Sequence, residues 1–208
     1  MSRAYTIEDV TPVPQNKDQY VAEIVAYHYL HRQPYYSWDT DLARRRVTLP
    51  RIAILDLARV RTGQGQVWAL ADVRAVLVST SHETPSAPEI VDAELTEAAD
   101  VHAARLVEFR ARCHKQRIEA LGERPHRSIS YIAVGMGYKS EDYCSLLIEH
   151  QTALADRERV PLFALGEDSE TTWLLAVFGF QAAGSPVPIT DPRFGHSVLP
   201  MLYEPRAR

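Results

Sequence analysis

His82 and Glu83 are adjacent in the sequence, and so are Ser130 and Tyr131. A histidine beside a carboxylate can exchange protons near neutral pH, and serine and tyrosine hydroxyls can donate or accept them. Cys144 is a further candidate, as a nucleophile near the start of a helix, although the acids Glu141 and Asp142 just before it oppose its thiolate. His28 and His31 come shortly before Tyr35, Tyr36 and Trp38. Three aromatic rings in four residues can stack on a flat ligand or hold an amine by cation–π contact. That places His28, Tyr35, Tyr36 and Trp38 on the substrate side of any site, with Tyr131, Ser130, Cys144, His82 and Glu83 as the candidates for chemistry.

The elements that must position these residues follow from periodicity. Ile129 to Val134 is short, apolar and β-rich, and predicts a buried strand ended by Gly135-Met136-Gly137-Tyr138. Tyr143, Leu146, Leu147, His150 and Leu154 then recur on one face of a helix beginning near Ser140. Val160 to Leu165 predicts a second buried strand, and Thr171 to Phe178 a short helix closed by Gly179-Phe180. Upstream, Ala4 to Val10 predicts a first strand, and Asp18 the N-cap of a helix that ends before Pro34. Asp41 to Val60 predicts a second helix interrupted at Pro50, with Arg44-Arg45-Arg46 on a solvated face. Gln66 to Ala71 and Arg74 to Ser79 predict a hairpin across Asp72-Val73. A long helix follows from about Leu95 to Leu121, with His102 at its core edge. Gln181 to Ile189 and His196 to Tyr203 predict two closing strands.

The order strand, loop, helix, strand, helix, strand from Ser128 to Phe180 resembles the core of the GCN5-related N-acetyltransferases (GNATs). The wording of the family motif is matched locally by Val134, by Lys139-Ser140-Glu141-Asp142-Tyr143-Cys144-Ser145-Leu146-Leu147, and by Leu175-Ala176-Val177-Phe178-Gly179-Phe180. The register is similar to the puromycin N-acetyltransferase branch from about Arg46 to Phe180. The resemblance implies one domain over residues 1–208, of α/β (α+β) class. Its sheet is mixed and mostly antiparallel, with helices on both faces and a central β-α-β unit.

The resemblance also implies acetyl-CoA or another acyl-CoA, with Val134, Lys139, Ser140, Asp142 and Cys144 at the cofactor loop. In such a loop glycines admit the pyrophosphate and a helix N-terminus faces it. Here Ser140 and Asp142 replace glycines, and Asp142 sets a carboxylate against that anion. Leu175 stands where the family often has a tyrosine able to protonate the leaving thiolate. Two expectations stay open. One is acyl transfer to the amine of a metabolite or antibiotic. The other is a chain that keeps the cleft without acetyl-CoA and binds or converts a natural-product-like ligand by another reaction.

Composition narrows the partners. Twenty-three basic and 27 acidic residues are interspersed, giving a net charge of -4 and no basic footprint for nucleic acid. Cys113 and Cys144 have no metal or disulfide spacing, and no metal is expected. No apolar run approaches bilayer length and the first residues carry charge, which predicts a cytoplasmic protein without a membrane partner. The expected partner is a small-molecule substrate, and the expected state a monomer or homodimer.

Overall fold

A computed structural model describes residues 5–32, 41–63, 65–70, 72–82, 96–97, 103–136, 140–189 and 196–206. The sheet has eight strands: β1 (Val10–Pro12), β2 (Gln66–Leu70), β3 (Ala75–His82), β4 (His126–Val134), β5 (Leu162–Gly166), β6 (Gln181–Ala182), β7 (Val187–Pro188) and β8 (Ser197–Tyr203). Its order is β1-β2-β3-β4-β5-β8-β6, with β7 also on β8. All pairs are antiparallel except β4 and β5. Five helices accompany it among the described residues: α1 (Asp18–Tyr29), α2 (Leu42–Thr62), α3 (Ala103–Leu121), α4 (Ser140–Glu158) and α5 (Ser169–Val177). The mixed, mostly antiparallel sheet and its central β4-α4-β5 crossover are as the sequence predicts.

Local chemistry accounts for most of these elements. Asp72 and Val73 both take positive φ, 54° and 67°, in the turn that joins β2 to β3, where the Arg74 N–H donates to the Leu70 carbonyl at 3.0 Å. Gly122, at φ 61°, closes α3. Asp41 caps α2 by accepting from the N–H groups of Ala43 and Arg44.

Four local expectations are corrected. The first strand is only Val10–Pro12, because Thr6 and Asp9 close a capping box around a 3-10 turn before it. Asp18 is not an N-cap. It is the first residue of α1, and its carboxylate lies 2.7 Å from Arg61 of α2. Pro50 does not interrupt α2, which runs through it. Arg45 is buried, and its Nε donates to the Leu30 carbonyl at 2.8 Å, so the arginine run is not wholly solvated.

Each sheet face carries its own core. On one, α1 and α2 pack Val21, Val25, Leu49 and Leu57 against Val67, Val76, Val78 and Ala133. On the other, Leu147 and Ile148 of α4 and Leu174 and Leu175 of α5 meet Leu70, Leu77, Leu162 and Met201. Burial on this scale supplies the main driving force for the layered fold. A third cluster seats Leu106 and Phe109 of α3 on Val187 and Val198.

Candidate functional site

The site arises where β4 and β5 part. They pair only at Arg127 with Leu162 and Ser128 with Phe163. Ser130 is an extra residue in β4, since Tyr131 faces Val78 while Ile129 faces Ser79. A bulge of this kind bends its strand. β4 then follows β3, while β5 stays with β8 through Gly166. Arg127 and Glu158 form a two-pronged ion pair, at 2.6 and 2.8 Å, that ties the joined end of β4 to the end of α4.

The opening between the strands is a cleft with a cavity volume of about 60 Å³. Its chemistry comes from His28, Tyr29 and Arg32 at the end of α1, Ser130 and Tyr131 on β4, Cys144 on α4, and Glu167 just after β5. Ile129, Ile132, Leu165 and Leu174 make the rest largely apolar. Gly166 places Glu167 here, because a Cβ at that position would stand 2.3 Å from the Thr172 hydroxyl of α5. Asp168 caps α5 by accepting from the Thr171 N–H at 2.7 Å. Arg32 reaches from α1 to Asp168 and Glu170, each at 3.4 Å, across the mouth.

Glu167 is the most altered acid of the cleft. Burial pushes its carboxyl up to about 8, and Asp168 adds to this, while a hydrogen bond with Tyr29 and the charge of Arg32 act in the opposite sense. A carboxyl that titrates near neutrality inside a cleft is suited to taking and returning a proton. His28 is held down at about 4 by burial and by the Arg32 charge, against the smaller pull of Asp168, and the Val134 N–H donates to its Nδ1 at 3.3 Å.

The predicted residues divide sharply. Ser130, Tyr131, Cys144 and His28 are brought together in the cleft. The Tyr131 ring lies edge-on to Tyr29 at 5.7 Å, and its hydroxyl donates to Asp56, which also binds Arg110 at 2.6 Å and Arg59 at 3.2 Å. Its phenol is thereby committed to a buried ion network between α2, α3 and β4. Burial pushes the Cys144 thiol up to about 12, against the Arg32 charge and with a smaller push from Glu170, which disfavours the thiolate that a nucleophile needs. His82 lies away from the cleft, stacked on His126 at 4.6 Å and bonded to Thr80 at 2.9 Å. Pairing with β3 puts it at the joined end of β4. Glu83, Tyr35, Tyr36, Trp38, Lys139 and His102 lie outside the described residues, as do the side chains of Ser140 and Glu141.

Sequence reasoning missed Glu167, Tyr29 and Arg32. A signal for Glu167 was present: an acid directly after a buried strand, beside the Asp168 cap of the next helix. In open α/β sheets, ligands gather at the carboxyl ends of strands that diverge.

These residues meet an implied acyl-CoA unevenly. The splayed β4 edge and the narrow apolar cleft suit an acyl group and its thioester. Residues 137–139 of the loop implied to meet the pyrophosphate lie outside the described residues. Asp142 stands exposed in the first turn of α4, and the Val134 N–H already donates to Nδ1 of His28 at 3.3 Å. Leu175 is fully buried in the core, so no proton donor replaces it there. Among the described residues no group of three or more His, Cys, Asp or Glu could hold a metal ion. No helix among them is long and apolar enough to cross a membrane.

No protein-family model matches the chain, and no curated protein sequence matches it. Solved structures do. One is described as a histone acetyltransferase HPA2 and related acetyltransferase, from Corynebacterium glutamicum; it is 14% identical, with a TM-score of 0.69 over 96% of this chain and 97% of that one. The C-terminal condensation domain of Ebony, bound to β-alanyl-dopamine, is 11% identical, with a TM-score of 0.66 over 94% and 97%. Arylalkylamine N-acetyltransferase 2 from Aedes aegypti is 12% identical, with a TM-score of 0.64 over 95% and 98%. Identities this low speak for architecture alone, and the architecture of this chain is the GCN5-related N-acetyltransferase fold.

Proposed function

We propose that the protein transfers an acyl group to the amine of a small molecule in the cleft between β4 and β5, with Glu167 as general base. The observation that carries this reading is the position of Glu167, a carboxyl titrating near 8, at the end of β5 facing the free side of β4. Structures of like fold include proteins described as N-acetyltransferases and a condensation domain in complex with β-alanyl-dopamine, which supports the reaction class.

An amine must lose a proton before its lone pair can attack an acyl carbon. Glu167 takes that proton, and its raised affinity for it lets the carboxyl compete with an ammonium at neutral pH. Tyr29, buried and bonded to Glu167, fixes its orientation. Asp168 and Glu170 at the mouth outnumber Arg32 there and draw a cationic amine inward. The substrate class is an amine metabolite or antibiotic. The test is amide formation from a panel of acyl thioesters and primary amines, acetyl-CoA included. Amide product that disappears in Glu167→Gln supports the reading, and full activity of that variant overturns it.

The misfit at Asp142 and Val134 favours a second reading, a cleft that keeps a small ligand and does not use acetyl-CoA. Turnover with short thioesters but not with acetyl-CoA would point to a donor without the nucleotide. Ligand binding without amide formation would put this second reading first.

A further inference from the structure

A peptide N–H can only donate a hydrogen bond, so the contact from Val134 at 3.3 Å requires a lone pair on Nδ1 of His28. A neutral imidazole has one ring proton, and it must then sit on Nε2. The ring stays neutral at pH 7, since burial and Arg32 hold it at about 4. It is set edge-on against Tyr29 at 5.1 Å and 75°, and Tyr29 is itself buried. His28 therefore presents a fixed N–H donor to the cleft and has no free lone pair with which to act as a base. The same bond takes the Val134 N–H, a group on the strand that would otherwise polarise an acyl carbonyl. His28 lines the cleft.

We propose that His28, through Nε2–H, is the hydrogen-bond donor to the acyl carbonyl oxygen during transfer. This rests on the acyl-transfer reading. The amine nitrogen attacks the carbonyl carbon, the new C–N bond forms, and the π electrons move to the oxygen, where Nε2–H meets the developing charge. The C–S bond then breaks with its electron pair on sulfur. Glu167 receives the proton of the amine and passes it to the thiolate. His28 neither gains nor loses a proton. A neutral imidazole suits this task, because its N–H is a donor that stays in place through the step.

The experiment has two arms. In the natural protein, nitrogen-15 NMR of the His28 ring should show the Nε2–H tautomer and no titration between pH 5 and 8. An Nδ1–H tautomer, or titration near the ordinary value, overturns the proposal. The second arm measures amide formation from the acetyl thioester of N-acetylcysteamine and tyramine. His28→Ala should lower kcat by about 10²–10³ with KM for the amine little changed, and His28→Gln, which keeps a donor, should recover part of it. A His28→Ala variant with unchanged kcat or only a raised KM sinks the donor role while the acyl-transfer reading stands. A natural protein that forms no amide from any thioester sinks both.

Discussion

A histidine ring meets strand β4 at each of its ends, and the two ends behave differently. At its start, His126 stacks on His82 from β3, beneath Arg117 of α3. At its finish, the backbone of Val134 is capped by His28 from α1. Burial lowers His82 to about 3 and His28 to about 4, so all these rings are neutral for the same reason. The difference lies in what the ring atoms face. Nε2 of His82 accepts from Arg117 at 3.4 Å and meets the Thr80 hydroxyl at 2.9 Å, while Nδ1 of His126 donates to the Arg124 carbonyl at 2.9 Å. β4 has neighbours on both sides there, and Nε2 of His82 and Nδ1 of His126 are spent on protein partners. Past Ser128, β5 has left, and a ring at that end can meet a ligand. The same side chain is structural where a strand has two partners and available for chemistry where it has one.

The largest expected effect separates these ends by activity. Glu167→Gln should reduce turnover by about 10²–10⁴-fold, the range over which an acid–base group acts. His82→Ala should leave turnover unchanged, and a comparable loss there would abolish the distinction.

Stability should show the reverse order. Asp56→Ala takes the shared carboxylate from Arg59, Arg110 and the Tyr131 hydroxyl, and should cost about 3–5 kcal/mol by urea denaturation. His82→Ala removes a partner of Arg117 and should cost about 1–3 kcal/mol by the same measurement.

Opposite pH dependences sharpen the contrast. The histidines have folded-state affinities for protons below their unfolded ones, so their contribution is present above pH 6.5 and is lost as pH falls toward 3 to 4. Glu167 is raised, so its contribution is present below pH 4.5 and is lost as pH rises through about 8. Glu167→Gln should therefore raise Tm at pH 8.5 and change it little at pH 4.5. His82→Ala should flatten the acid-side fall in Tm. Equal shifts at both pH values for either variant would show that its environment is not the one described.

The smallest effect concerns the loop side of the cleft. Asp142→Gly removes an exposed carboxylate from the first turn of α4 and should tighten acetyl-CoA binding, more at low salt than at high salt. It should also cost a few tenths to about 1 kcal/mol of stability through the lost helix-end charge. Calorimetric titration decides this. Tight binding by the natural protein would remove the misfit argued above, and no binding by either form would show that more than this residue closes the site.

Much of the fold was legible in the chain itself. The apolar run of Ile129 to Val134, the stripe from Tyr143 to Leu154, the Asp72-Val73 turn and the Gly122 stop each act through neighbouring residues, so period and turn chemistry reveal them. The places where local reasoning failed involve partners distant in sequence. Asp18 turned from cap to ion pair because α2 brings Arg61 to it, and Arg45 was buried by the Leu30 carbonyl. The site shows the same limit. The sequence alone offered Ser130, Tyr131, Cys144 and His28 as candidates by residue type and element, and the fold brought them to one cleft. Only the tertiary structure decided that Tyr131 is spent on Asp56, that burial holds Cys144 toward the thiol, that His82 belongs to the joined end, and that Glu167 is the most altered acid of the cleft. Residue type sets what a group can do, but its proton affinity depends on burial and on charges that the fold assembles from distant parts of the chain.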